Sequence, residues 1–366
     1  MGARVVLGGA REGSLAEPVR PAADTLFGPR GATLGASLSD PLFVSDTGHH
    51  RLLGWHRAPR EDFTPADLVF GQPDFMSEGR NARRETGPST LNVPTGVAIG
   101  SGVLAVGDAW NHRVLLWFGV PETSNRPPDV VLGQADFTTG LANRGASASG
   151  VDTLNWCYGV AIQDGRLFVA DAGNRRVLIW NGIPEVNGAP ADLVLGQPDF
   201  TTRDDRGDAS GMRWPHAVTT ADGRLVVADA GTNRIMIWHR LPAVNGAPCD
   251  VVLGQASLDG TDHNRGAYDP GAATLSMPYG VATLAGRLVV ADTANSRLLG
   301  FDLSMIDMSL SADRITGQRD FREKGENRWQ RSGRDGLCWP YGIATRGDTA
   351  VIADSGNNRV LLWDAA

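Results

Sequence analysis

The sequence predicts an all-β fold, a six-bladed β-propeller of four-stranded antiparallel blades, and three observations carry that prediction. One phrase recurs six times: "VSDTGHHRLLGW" (44–55), "VGDAWNHRVLLW" (106–117), "VADAGNRRVLIW" (169–180), "VADAGTNRIMIW" (227–238), "VADTANSRLLGF" (290–301) and "IADSGNNRVLLW" (352–363). The apolar segments are short runs of Val, Ile and Leu punctuated by Gly, Asn, Asp and Pro, with no amphipathic helical period of useful length. The two ends of the chain hold complementary fragments of the same unit.

The repeat is anchored by Asp46, Asp108, Asp171, Asp229, Asp292 and Asp354, spaced by 62, 63, 58, 63 and 62 residues. Five residues after each stands an arginine: Arg51, Arg113, Arg176, Arg234, Arg297 and Arg359. A second marker runs in parallel, from "DLVFGQPDF" (67–75) to "DRITGQRDF" (313–321). In the third unit the four runs are "GVAI" (159–162), "RLFVAD" (166–171), "RVLIW" (176–180) and "ADLVLG" (191–196). They are continuously apolar rather than alternating, so both faces of each sheet must be buried, which face-to-face stacking around an axis achieves.

The chain starts with "ARVVLGG" (3–9), which matches a fourth run, and stops after "RVLLW" (359–363), a third run. Pairing the two closes the ring and removes the exposed sheet edges of an open array. Because a closed array is one cooperative unit, residues 1–366 read as a single domain. Its blades span approximately 30–73, 95–135, 158–198, 216–256, 279–319 and 341–366, the last completed by the closing strand 3–9.

The motif P-x-G-[VI]-A, followed by G-R-L-[VF]-V-A-D-x-x-[GN]-x-R-[VI], resembles the NHL repeat over essentially the whole chain. The units here are longer, mainly through a loop after each "GQxDF". The resemblance implies binding above all, to protein partners and in some branches to RNA. A few enzymatic relatives, such as metal-dependent amidating lyases, use several histidines around the channel to hold a metal. The fold alone does not choose among these.

Each Asp is expected to end the second strand and cap a tight turn (Ala172, Gly173 and Asn174 in the third copy), where Gly and Asn tolerate a left-handed backbone. The arginine opens the third strand within reach of an aspartate of its own or the neighbouring blade. A pair present six times is structural, since a catalytic pair is needed only once. The same reasoning makes packing groups of the strand-end aromatics and of Phe75, Phe137, Phe200 and Phe321.

Strand directions put these turns, the long inter-blade loops and the starts of the innermost strands on one face. Aligning those starts gives Arg30, Thr95, Tyr158, His216, Tyr279 and Tyr341 after the proline slot, and Gly28, Val93, Trp156, Trp214, Met277 and Trp339 before it. Blades 3 to 6 thus carry aromatic or soft apolar groups at the channel mouth. Their alternative role is to plug the channel and pin the loops. With Arg30, the expected binding cluster is Trp156, Tyr158, Trp214, His216, Met277, Tyr279, Trp339 and Tyr341, a surface suited to protein segments, ring-bearing ligands or bases.

Three cysteines, Cys157, Cys249 and Cys338, form no disulfide framework. Cys157 and Cys338 are expected to face each other across the mouth as free thiols. His49, His50, His112 and His263 show no metal-ligand spacing, so neither metal nor cofactor is expected. With 34 basic against 41 acidic residues the chain has no polybasic footprint, although loops such as "GRNARRE" (79–85) and "HNRGA" (263–267) set arginine where single strands could stack. No signal sequence or membrane span is read, and a cytoplasmic, bacterial protein is expected. The leading reading is a non-enzymatic protein-binding platform or accessory subunit. A metal-dependent lyase or hydrolase at the channel mouth, a single-stranded RNA binder and a small-molecule ligand in the channel are the alternatives.

Overall fold

In a computed structural model that describes residues 2–9 and 19–364, the chain forms six four-stranded antiparallel sheets. The innermost strands are Gly31–Leu34, Pro94–Gly100, Cys157–Gln163, Pro215–Ala221, Pro278–Leu284 and Pro340–Arg346. Each blade proceeds outward in chain order, except that the outermost strand of blade 6 is Val5–Gly8, paired antiparallel with Arg359–Asp364. The ring is therefore closed by the N-terminal strand. The only helices among the described residues are short 3-10 turns, and none is long and apolar enough to cross a membrane.

The core lies between blades. Continuous runs such as Leu167, Phe168, Val169 and Ala170 are all buried, because one face meets the preceding blade and the other the following one. The glycine of P-x-G marks where innermost strands touch. A Cβ on Gly159 would stand 2.4 Å from the carbonyl oxygen of His216, and one on Gly280 2.3 Å from that of Tyr341.

Each Asp–Arg pair lies within a single blade. Asp171 accepts from Arg176 Nε at 2.8 Å, from Asn174 Nδ2 at 2.8 Å and from the Asn155 amide at 2.7 Å, and both charged side chains are fully buried. Arg176 also donates to the carbonyls of Phe200, Gly150 and Thr153, tying the long loop to the turn. Burial pushes the Asp171 carboxyl up, and the Arg176 guanidinium pulls against it. Blade 4 departs from the rule: Thr232 donates to Asp229, and Arg234 Nε stands 3.7 Å from the carboxylate with no hydrogen-bond partner.

The turn differs from the expectation in one respect. Ala172–Asn174 is a 3-10 turn, and the left-handed residue is the next one, Arg175. Its counterparts are His50, His112, Asn233, Ser296 and Asn358.

Candidate functional site at the channel mouth

Those left-handed residues position the mouth. Their side chains accept from the backbone N–H at the start of the next blade's innermost strand. His112 Nδ1 takes Trp156 at 3.1 Å, Asn233 Oδ1 takes Met277 at 2.9 Å, Ser296 Oγ takes Trp339 at 3.3 Å and Asn358 Oδ1 takes Gly28 at 2.8 Å. The residues so held, Trp156, Met277 and Trp339 among them, are themselves left-handed, at φ 53°, 50° and 49°. A register shift follows within two residues, as between Cys157 and Gly159. Trp214 is the exception. Arg175 has no acceptor to offer it, and its N–H turns to Asp229 Oδ1 at 2.8 Å instead.

This backbone geometry splits the expected cluster into two parts. In blades 3 to 6 the residues after the proline slot point inward and stack. The Tyr158 and His216 rings lie 4.6 Å apart at 7°, His216 and Tyr279 4.0 Å apart at 38°, and Tyr279 and Tyr341 4.5 Å apart at 27°. Arg30 continues the stack, its guanidinium carbon 4.9 Å from the Tyr341 ring centre. Trp214 meets His216 and Tyr279 edge-on. Tyr158, His216 and Tyr279 are buried, so this inner part combines the packing role with the polar tips.

Of the residues before the slot, Trp156, Met277 and Trp339 form a rim. Trp156 is 42% exposed and Trp339 49%, while Met277 is half-buried. Two further aromatics that the alignment did not single out are also exposed: Trp110 at 46% in the blade 2 turn, and Phe27 at 46% in front of Gly28. The signal for Trp110 was an indole in the turn position held by Gly173 in blade 3.

The electrostatics are one-sided. Arg30 stacks on Tyr341 with no carboxylate in salt-bridge range among the described residues. Burial, aided by Arg30, holds the His216 imidazole well below its ordinary pKa, and its Nε2 is buried with no hydrogen-bond partner. Burial likewise raises the Tyr158 and Tyr279 phenols. The stack is therefore neutral, with one cation at its end.

Beyond the stack the channel continues as a cavity of about 380 Å³, lined in part by Thr33, Thr219, Thr283 and Thr345. At its far end Arg346 donates to the Ile99 carbonyl at 3.2 Å.

Cys157 does not face the mouth. Its Sγ donates to the Arg113 carbonyl at 3.1 Å, within the core between blades 2 and 3. Cys338 packs on the blade 6 turn at Gly356, and all three thiols are buried and free. Among the described residues no three His, Cys, Asp or Glu side chains converge on a metal-sized site. Several loop arginines are engaged, Arg144 with Asp152 at 2.6 Å, Arg206 with Asp208 at 2.7 Å and Arg328 with Asp335 at 2.8 Å. The asparagine of the "NRG" loops forms a reciprocal amide pair with the turn: Asn143 Nδ2 donates to Asn174 Oδ1 at 3.0 Å, and Asn174 Nδ2 to Asn143 Oδ1 at 2.8 Å.

No protein-family model matches the chain. Human NHL repeat-containing protein 2 is 24% identical over 368 residues, covering 89% of this chain and 45% of that protein. The chain thus spans about half the length of the curated relative it matches. Of solved structures, a Bacteroides thetaiotaomicron protein of unknown function shares the fold at 11% identity and a TM-score of 0.55, covering 100% of this chain and 75% of that one. Hydrazine synthase from Kuenenia stuttgartiensis does so at 11% identity and a TM-score of 0.51, covering 98% of this chain and 99% of that one. The chain is a six-bladed propeller, and its repeats are similar to those of the NHL type.

Proposed function

We propose that the chain is a protein-binding platform whose partner docks on the long-loop face and anchors at the channel mouth. The observation that carries this reading is the rim: Trp156, Trp339, Trp110 and Phe27 are exposed on a face where Arg30 has no counter-charge among the described residues. Large aromatics cost free energy when left in water, and aromatic and Arg anchors dominate protein–protein energetics. Arg30 suits a carboxylate of the partner, an acidic side chain or a chain terminus. The buried stack behind the rim keeps that anchor rigid, which lowers the entropy lost on docking.

The test is affinity capture at low salt from the source organism, comparing the wild type with Trp156→Ala/Trp339→Ala. These side chains are exposed, so the double variant leaves the core intact. A protein recovered in stoichiometric amount by the wild type and lost by the variant supports the reading. Each anchor is worth about 2 kcal/mol, so an affinity loss of two orders of magnitude or more is expected. Equal recovery by both proteins overturns the site.

A further inference from the structure

In blades 1 to 4 the loop between the third and outer strands reaches back and clips the outer strand of the preceding blade. On that strand one residue turns both backbone groups outward. Asn187 Oδ1 accepts from the Val131 N–H at 3.0 Å, and the Gly188 N–H donates to the Val131 carbonyl at 2.8 Å. The same two-residue clip recurs as Asn245–Gly246 on Val194, Ser124–Asn125 on Val69 and Asp62–Phe63 on Val6. Its second residue is always left-handed, at φ 63°, 64°, 54° and 55° respectively. A third contact completes the clip. Two residues after the acceptor, a carbonyl takes the indole N–H of the blade's own strand-end tryptophan: Trp180 to Ala189, Trp238 to Ala247, Trp117 to Arg126 and Trp55 to Thr64.

The pattern decays toward blade 5. Val252 receives only the Met308 sulfur, at 3.2 Å. On the outer strand of blade 5, Arg314–Thr316, the equivalent residue is Ile315, which pairs with Leu299 as Val131 pairs with Leu115. Its backbone N–H and carbonyl find no partner among the described residues. Blade 6 takes its outer strand from Val5–Gly8, so no third-to-outer loop among the described residues follows Asp364 onto this edge. A cavity of about 430 Å³ remains there, lined by Val289, Gly300, Ile315, Ile352 and Trp363 among others. Trp363 is only half-buried, and its indole N–H makes no hydrogen bond among the described residues.

We propose that this groove is a docking seat for a loop of a partner protein carrying an Asn-Gly clip. Among the described residues the seat leaves open an Ile315 N–H, an Ile315 carbonyl and a Trp363 indole N–H. The occupant must therefore bring a side-chain oxygen, then a left-handed residue with a free N–H, then a carbonyl on the third residue. Asn-Gly-Ala, the sequence that fills the equivalent seats from Asn187 and Asn245, supplies all three. Recognition is strand-edge addition reduced to a single reciprocal pair, with the indole adding direction. This seat lies on the side of the ring and stands independently of the reading of the mouth.

The probe is a blocked peptide of residues 183–191, IPEVNGAPA, titrated to millimolar concentration into the full chain and followed by amide and indole NMR signals. Saturable shifts are expected at the Ile315 amide and the Trp363 indole, with at least a tenfold weaker response to the peptide carrying Asn187→Ala. The protein variant Ile315→Pro, tolerated on an edge whose N–H faces outward, should bind the unaltered peptide at least tenfold more weakly. Absence of saturable shifts at those two signals, or equal response to the alanine peptide, overturns the proposal. Strong hydrogen-exchange protection of the Ile315 amide without peptide also overturns it, because a second copy or the protein's own chain would then fill the seat.

Discussion

His112 accepts the Trp156 N–H at Nδ1, at 3.1 Å, so that nitrogen must be free of a proton in the folded protein. Burial holds its pKa down to about 4, against 6.5 for the exposed imidazole. Below pH 6.5 the unfolded chain takes up a proton that the folded chain refuses until about pH 4. The stability His112 contributes is thus fully present above pH 6.5 and is lost as pH falls through that window. At about 1.4 kcal/mol per pH unit the displacement amounts to about 3 kcal/mol. His112 is partly exposed, and solvent screening reduces the expectation to about 2 kcal/mol. The perturbation is His112→Asn, because Asn233 and Asn358 already do the same work with an amide oxygen that does not titrate. Asn also tolerates the left-handed backbone at this position, φ 51°. The assay is calorimetric melting of both proteins from pH 8 to pH 4. The two should melt together at pH 7.5. At pH 4.5 the variant should melt about 3 °C higher, from an unfolding entropy of about 2.1 cal/mol/K per residue. Parallel curves across the whole range would refute the reasoning, since they would mean that His112 titrates alike in both states.

Three further outcomes follow from contacts elsewhere in the ring. Arg176→Met strands a buried Asp171 and should cost about 3–5 kcal/mol. Arg234→Met should cost about 1–2 kcal/mol less, because Arg234 Nε has no bond to lose and Thr232 already serves Asp229, a difference that equal melting losses would disprove. His49 faces only acceptors, Asp46 Oδ2 at 2.8 Å and the Val19 carbonyl at 3.0 Å, and these outweigh burial to raise its pKa. Its contribution is therefore complete below pH 6.5 and lost as pH rises through the raised value. Nitrogen NMR should find both ring nitrogens protonated at pH 6.5, and a neutral ring there would contradict the assignment. Asn187→Ala unclips Val131 and should lower stability by about 1 kcal/mol, whereas the opposite blade edge at Ile315, which has no clip, should exchange its amide proton faster than Val131 does.

The sixfold repeat and its strands were legible because they rest on short-range chemistry: an aspartate, a three-residue turn and an arginine five residues on, framed by apolar runs that only stacked sheets can bury on both faces. Ring closure was legible too, since "ARVVLGG" and "RVLLW" are halves of one pattern. The mouth was located but not resolved. Trp156 and Tyr158 are two residues apart, yet one is exposed and the other buried in a stack. That division is set by a left-handed backbone at Trp156 and by its bond to His112, 44 residues away in the preceding blade. The same register turned Cys157 into the core between blades, where alignment alone had set it at the mouth. The sequence by itself determined the unit, its sixfold count and the face that carries the long loops, because each follows from local pattern and length. Tertiary structure decided which side chains face water, which asparagines join in pairs and which outer edges carry the full clip, because all three depend on hydrogen bonds between blades.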